Sequence, residues 1–440
     1  MYLRRFSVTN LRSIAHVTMD FKAGEEAGWH VILGSNGSGK SSLVRAFALI
    51  MMGEREAYAA RQEFQRWIRS GEEKSVIDAQ ISGHQGFDDL SRKGPWSSRP
   101  ITLKANIETS ERHRPAEVKF TGIGMTQTIW GGGDGWFAAS FGPFRRFTGG
   151  DNKYDRLFIT NKRLASHLTA LGEDVALTDA SKWLSTLHSR ALQEEKSGAP
   201  QTSIELLRAV WDFLDKSGFF PRSEEVAIVS DDTILLKDGN GFLIDLEEMS
   251  DGYRSALSLV LELLRQMVEL YGVDRMLRAI DSNNARVDAP GVVFIDEVDV
   301  HLHPTWQRDI GRWLTKCFPK VQFLVTTHSP IVCRAVANEE GEVKGTIWKL
   351  PTLGSDETFR KVVETEFDQL VFGDVLDAFS TELFGKNIIR SAAGENHLKR
   401  LAELNIKALD IGLTGAEAAE RKALRRAFPM AGGSLRVSDA

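Results

Sequence analysis

Eight consecutive residues, Gly34-Ser35-Asn36-Gly37-Ser38-Gly39-Lys40-Ser41, fit the pattern G-x-x-x-x-G-K-[ST], whose chemistry is the grip of a polyphosphate. Glycines let backbone N–H groups turn inward around phosphate oxygens, and the positive end of the following helix faces the same anion. Lys40 is placed to reach the outer phosphates and the Ser41 hydroxyl to bind Mg²⁺, with Ser42 next in line at the start of the helix. Far along the chain, Asp296-Glu297 closes an apolar run with two adjacent carboxylates. Asp296 can hold Mg²⁺ through water, and Glu297 can take a proton from a water attacking a γ-phosphate. His328 stands thirty-two residues beyond Asp296, at the end of another apolar run. Alone it is better explained as a structural histidine; in this company it reads as a group that senses the γ-phosphate and helps hold the attacking water.

These residues need a sheet edge to meet on. Val31-Ile32-Leu33 predicts a strand entering the glycine loop, and Ser41 to Ile50 the helix leaving it. Gly291-Val292-Val293-Phe294-Ile295 and Val321-Gln322-Phe323-Leu324-Val325-Thr326-Thr327 are runs of the kind buried on both faces of a parallel sheet. A fourth element, Leu246-Glu247-Glu248-Met249-Ser250-Asp251-Gly252-Tyr253-Arg254-Ser255, precedes an apolar-periodic helix from Ala256 to about Leu270. A serine hydroxyl and glycine amides at a helix start make a second anion site, although Ser250 is also a good N-cap in any protein.

That fourth element resembles the signature motif L-S-G-G-x-x of ABC-type ATPases, with Met249 and Asp251 departing from its commonest form. The resemblance implies that Ser250, Asp251 and Gly252 complete the nucleotide pocket of a partner chain. Tyr2 to Ile14 resembles the opening strand of the RecF, SMC and OLD-like ATPases, which carry N-[FL]-[RK]-S, and this implies Asn10, Arg12 and Ser13 near ATP. Asp299-Val300-His301-Leu302-His303-Pro304 resembles the D-loop of that group, so Asp299 and His303 are expected in a dimer-facing loop; two histidines without a third ligand do not make a metal site. Trp136 to Arg146 resembles the Y-G-x-x-R-R segment of OLD-like and defence ATPases and takes the place of the Q-loop without supplying a glutamine. Arg145 and Arg146 either contact phosphate or a partner, or are simply solvated. Leu370 to Phe379 resembles a segment of the ATPase subunit (PtuA-like) of Septu-type and retron-associated anti-phage systems, whose partner is an HNH nuclease.

The 210 residues from Lys40 to Ser250 imply a large insertion between the nucleotide motifs. Val76 to Phe141 is strand-rich, with the cluster Gly131-Gly132-Gly133-Asp134-Gly135; residues 154–220 carry helical patterns such as Ser203 to Leu214 but no sustained heptads and no C-x-x-C tip. The expected organisation is an ATPase lobe over 1–153 with the strand-rich insertion, a helical insertion over 154–224, a second ATPase lobe over 225–335, and a mainly helical region over 336–440 that either docks a partner or covers the sheet. Thr414-Gly415-Ala416-Glu417 predicts a capping box opening the last helix. The tail lacks the glutamate and D-x-D pair of the TOPRIM nuclease domain found there in OLD proteins, so no nucleic-acid cleavage is expected of this chain.

An apolar fraction of 42% fits a globular chain of 440 residues. No apolar run approaches the ~20 residues that span a bilayer, and no signal-peptide core is present at the N-terminus. Two cysteines, Cys317 and Cys333, offer neither a disulfide framework nor a metal cluster, which together with the missing leader predicts a cytoplasmic protein. A net charge of −5 argues against general adhesion to nucleic acid and leaves room for a local basic groove or contact through a complex. The expected fold is α/β, an ABC-type P-loop ATPase head with a mixed sheet flanked by helices, a strand-rich and helical insertion and a helical C-terminal tail. By the resemblance, the chain binds ATP and Mg²⁺ and works as a homodimer or higher even-numbered oligomer, regulating an HNH-type nuclease subunit in an anti-phage complex. Two other readings stay open: a RecF-like DNA-repair ATPase, and a slowly hydrolysing, nucleotide-gated scaffold.

Overall fold

The computed structural model describes residues 1–427 apart from 61, 90–99, 110–115, 124–128, 131–134, 144–160, 173–178, 199, 219–225, 230–233, 238–242, 246–250, 301 and 375–391. Contacts divide it into two units, Met1–Gly373 and Asp374–Ala440.

Sixteen strands are described: β1 (Tyr2–Leu11), β2 (Ile14–Asp20), β3 (Gly28–Leu33), β4 (Lys74–Ser82), β5 (Ile101–Glu108), β6 (Glu117–Ile123), β7 (Ala138–Phe141), β8 (Val226–Val229), β9 (Ile234–Lys237), β10 (Leu243–Asp245), β11 (Ile280–Asp281), β12 (Arg286–Val287), β13 (Gly291–Ile295), β14 (Val321–Thr327), β15 (Gly345–Lys349) and β16 (Arg360–Lys361). Two sheets dominate. One has the order β2-β1-β4-β5-β6 and is antiparallel; the other has the order β16-β15-β3-β14-β13-β7 and is parallel from β15 to β7. Every residue of β3, β13 and β14 is buried, as expected of mainly apolar parallel strands covered on both faces.

The helix Lys40–Met52 lies between the two sheets, packed on β1, β4 and β5 on one side and on β7 and β13 on the other. It is therefore apolar nearly all round, and only Ser41 and Arg45, one turn apart, are incompletely buried. Phe47 joins the layers, edge-on to Phe6 at 6.2 Å and to Phe294 at 5.5 Å. The buried Gln322 amide joins them a second time: its oxygen accepts from Leu3 N at 2.8 Å and its nitrogen donates to Leu3 O at 3.1 Å.

The strands expected between Val76 and Phe141 are β4 to β7, and the helical insertion contains Asp179–Ser197 packed on Thr202–Lys216. The helix foreseen from Ala256 starts earlier and runs from Asp251 to Tyr271. In the region after residue 335 the sequence reading missed β15, which pairs with β3 and belongs to the central sheet. Its short run Gly345-Thr346-Ile347-Trp348-Lys349 has no long apolar stretch to announce it. In the second unit, helices Ala392–Asp410 and Gly415–Ala427 pack on each other, joined by Lys407–Glu417 and Arg400–Glu420 ion pairs. The capping box forms: Thr414 N donates to Glu417 Oε2 at 3.0 Å, and Glu417 N donates to Thr414 Oγ1 at 3.4 Å.

Candidate functional site

Strand register brings the distant motifs together. Leu33 pairs with Thr327, and Ile295 with Val325, so the three strands β3, β14 and β13 end almost level. Their carboxyl ends release the glycine loop, His328 and the Asp296-Glu297 pair onto one edge, where open parallel sheets bind ligands.

In the loop, Gly39 has φ 105°, a conformation only glycine adopts cheaply, and a Cβ there would lie 2.6 Å from Ile14 Cγ1 and 2.9 Å from Ser13 Oγ. The turn between β1 and β2 is thus wedged against the loop. The helix that begins at Lys40 has no side-chain cap, which keeps the amides of its first turn available to an anion. Lys40 Nζ donates to Gly34 O at 2.8 Å, to Ser35 O at 3.1 Å and to His328 Nε2 at 2.7 Å. Three donors meet three acceptors, so a phosphate entering the loop competes with them for the ammonium. Burial pushes the Lys40 pKa down, against the pull of Glu297, Asp296 and Asp299. His328 is likewise pushed down, first by burial and then by Lys40, which favours the neutral ring that accepts from the lysine. On its other side His328 Nε2 stands 3.8 Å from Glu297 Oε1.

The carboxylates are aimed by a residue that sequence reasoning passed over. The buried Thr326 hydroxyl donates to Asp296 Oδ1 at 2.5 Å and accepts from Glu297 N at 2.8 Å. Glu297 adopts φ 45°, a strained value for a non-glycine residue, and this hydrogen bond helps hold it there. Next along β14, Thr327 Oγ1 donates to Asp299 Oδ1 at 2.5 Å and accepts from Ser329 N at 2.9 Å. Threonine in a buried strand reads as β-propensity alone; only the pairing of β13 with β14 reveals these hydroxyls as supports.

The remaining sequence candidates separate. Asn10 and Arg12 both have positive φ, 54° and 50°, at the β1–β2 turn. Asn10 Nδ2 donates to Glu72 Oε2 at 2.9 Å, and the Arg12 guanidinium lies 5.5 Å from the Trp67 ring, with its pKa lowered by burial and by Arg45. These contacts tie both side chains to the segment 67–72, whereas Ser13 lies beside Gly39 of the loop. Asp299 is fixed by Thr327, and His303 caps the helix Pro304–Cys317 by accepting from Thr305 N at 3.4 Å. Asp251 and Gly252 begin the helix that runs to Tyr271. Leu246 to Ser250, Gly131 to Asp134, Phe144, Arg145 and Arg146, His301 and Val375 to Phe379 lie outside the described residues.

Ser41, on the less buried face of its helix, and Asp296, at the adjoining strand end, are oxygen donors of the type Mg²⁺ takes with nucleotide phosphates. No group of three or more His, Cys, Asp or Glu suited to a metal occurs among the described residues, and none of their helices is long and apolar enough to cross a membrane.

Two family models match the sequence: an AAA domain over residues 5–111, and over residues 155–334 an AAA domain described in connection with the AbiEii toxin of a type IV toxin–antitoxin system. The Septu protein PtuA of Bacillus mycoides (strain KBAB4) is 25% identical over 349 residues, covering 77% of this chain and 40% of that protein. The Retron Ec83 probable ATPase of Escherichia coli is 29% identical over 151 residues, 34% of this chain and 26% of that protein. These matches span well under half the length of the curated relatives. A solved SMC head bound to the C-winged helix domain of ScpA has a TM-score of 0.46 and 15% identity, covering 82% of this chain and 97% of that one. The chain thus has two stretches that match AAA domain models, is similar in sequence to Septu PtuA and the retron ATPases, and brings a glycine loop, a carboxylate pair and a histidine to one edge of a parallel sheet.

Proposed function

We propose that the chain hydrolyses ATP with Mg²⁺ and is the regulatory ATPase of a bacterial anti-phage complex that controls a separate nuclease of HNH type. The observation that carries the hydrolytic part is the meeting of Lys40, His328 and Glu297, the first two 2.7 Å apart and the last two 3.8 Å apart, at the mouth of the glycine loop. The loop and Lys40 hold the phosphates, and Glu297, oriented by Thr326, accepts the proton of the attacking water. His328 holds that water against the γ-phosphate. Ser41 and Asp296 would hold Mg²⁺, which would neutralise charge on the phosphates. Ser250, Asp251 and Gly252 complete the pocket of a second copy in a head-to-head dimer, with Asp299 and His303 in the facing loop.

The relatives' names, Septu PtuA and retron ATPase, support the defence role. Because the tail sequence carries no D-x-D pair of the kind a two-metal nuclease uses, cleavage of nucleic acid is assigned to the partner. The test is reconstitution of the purified chain with an HNH-type nuclease encoded in a neighbouring reading frame, if one is found there. Phosphate release that needs Lys40, and plasmid cleavage that needs both proteins and responds to ATP, are expected. Cleavage by the chain alone, or a nuclease indifferent to Lys40→Ala, contradicts the division of labour.

A further inference from the structure

The phosphate loop has two flanks. On one, β14 and β13 carry His328 and the carboxylates; on the other, β15 runs out into residues 350–359. This second segment is a pinned strap. Leu350 N donates to Leu33 O at 2.8 Å, beside the base of the loop. The Glu357 carboxylate closes the strap by accepting from Lys349 Nζ at 2.7 Å, Thr352 N at 3.1 Å and Thr352 Oγ1 at 3.0 Å. Lys349 and then the Thr352 amide hold the Glu357 pKa down at about 2, so the pin persists at neutral pH. Phe359 stacks on Trp348 at 5.4 Å with the rings 4° from parallel, fixing the far end.

The strap reaches the loop. Gly37 has φ 77°, and a Cβ there would lie 2.6 Å from Leu353 Cδ1. Between the strap and residues 13–18 is a cavity of about 450 Å³, with Ile14 and Val17 on one wall and Leu353 and Phe359 on the other. Ser38, the loop residue that lines it, is only 4% exposed, and its buried hydroxyl has no hydrogen-bond partner. A buried hydroxyl without a partner is costly unless a ligand completes it.

We infer that the 350–359 strap is one wall of the pocket for the base and ribose of the nucleotide, and that Leu353 packs on the base. The inference rests on the ATP reading above. A nucleotide gripped by its phosphates in the loop, with its γ end toward His328 and Glu297, sends its sugar and base to the opposite flank, where this cavity adjoins Ser38. Facing apolar walls with a few hydroxyls suit a flat base and a ribose.

Equilibrium binding of ATP and of inorganic tripolyphosphate to the full chain separates the strap from the loop, because tripolyphosphate uses the loop alone. Leu353→Ala, at an exposed tip, is expected to weaken ATP about tenfold, the size of effect that loss of an apolar contact has in a pocket, and to leave tripolyphosphate unchanged; Glu357→Gln, which loosens the strap, is expected to act in the same direction. Photolabelling with 8-azido-ATP is expected to mark a peptide containing residues 350–359. The inference is overturned if the variants weaken both ligands equally, if they weaken neither, or if the label falls only elsewhere. Failure of the unaltered chain to bind either ligand overturns the ATP reading itself, and the pocket with it.

Discussion

Lys40 and His328, 288 residues apart, meet with Nζ 2.7 Å from Nε2. An ammonium only donates, so Nε2 must present a lone pair, and the ring carries its proton on Nδ1. The loop lysine and the histidine are thereby coupled: whatever draws Lys40 away releases the imidazole beside Glu297.

One consequence is measurable in the free protein. Burial and Lys40 lower the His328 pKa, while Glu297, Asp299 and Asp296 raise it. Lys40→Ala removes a lowering influence and leaves the raising ones, so the His328 ring should titrate at higher pH in the variant. An NMR titration of the ring proton reports this directly; an unchanged midpoint means that the two side chains do not meet in solution.

Thr326 holds both carboxylate residues from within β14. Thr326→Val keeps the shape and removes the hydroxyl that serves both Asp296 and Glu297. Turnover should fall by roughly 10–100-fold, a fraction of what removing a positioned base costs, while Thr326→Ser should retain most of it. Equal loss in the two variants would assign the effect to packing.

Two buried histidines away from the site set an acid limit on stability. Burial lowers His30 to about 4 and His167 to about 3. Above the unfolded value near 6.5 both states are neutral and nothing is lost; as pH falls below it, the unfolded chain takes up protons that the folded chain refuses. At pH 5 each histidine should cost about 2 kcal/mol relative to pH 7. His30→Gln, which keeps a polar group against Thr346 and Glu26, should flatten its share of the slope in denaturant titrations at the two pH values.

Assembly gives a prediction at the signature. Ser250→Arg should abolish ATP-dependent dimerisation, followed by light scattering, while ATP still binds its own loop. Normal dimerisation in this variant reduces Ser250 to a helix cap.

The strand, glycine loop and helix of Val31 to Ile50 were legible because they are local: they follow one another in the chain, and each carries its own pattern. Asp296, Glu297 and His328 were legible because apolar runs precede them. Thr326 was not, since its task exists only once β14 lies in register beside β13. The strap was hidden for a related reason, as β15 is short and its place next to β3 follows from long-range pairing. Asn10 and Arg12 show the reverse case, where a family pattern points to ATP and their own contacts run to Glu72 and Trp67.

The most direct test is Glu297→Gln, measured for both ATP retention and phosphate release. Glutamine keeps the size of the side chain and cannot take the proton, so ATP should remain bound while turnover falls by about 10²–10⁴-fold. Steady-state phosphate release equal to that of the unaltered chain would contradict the account.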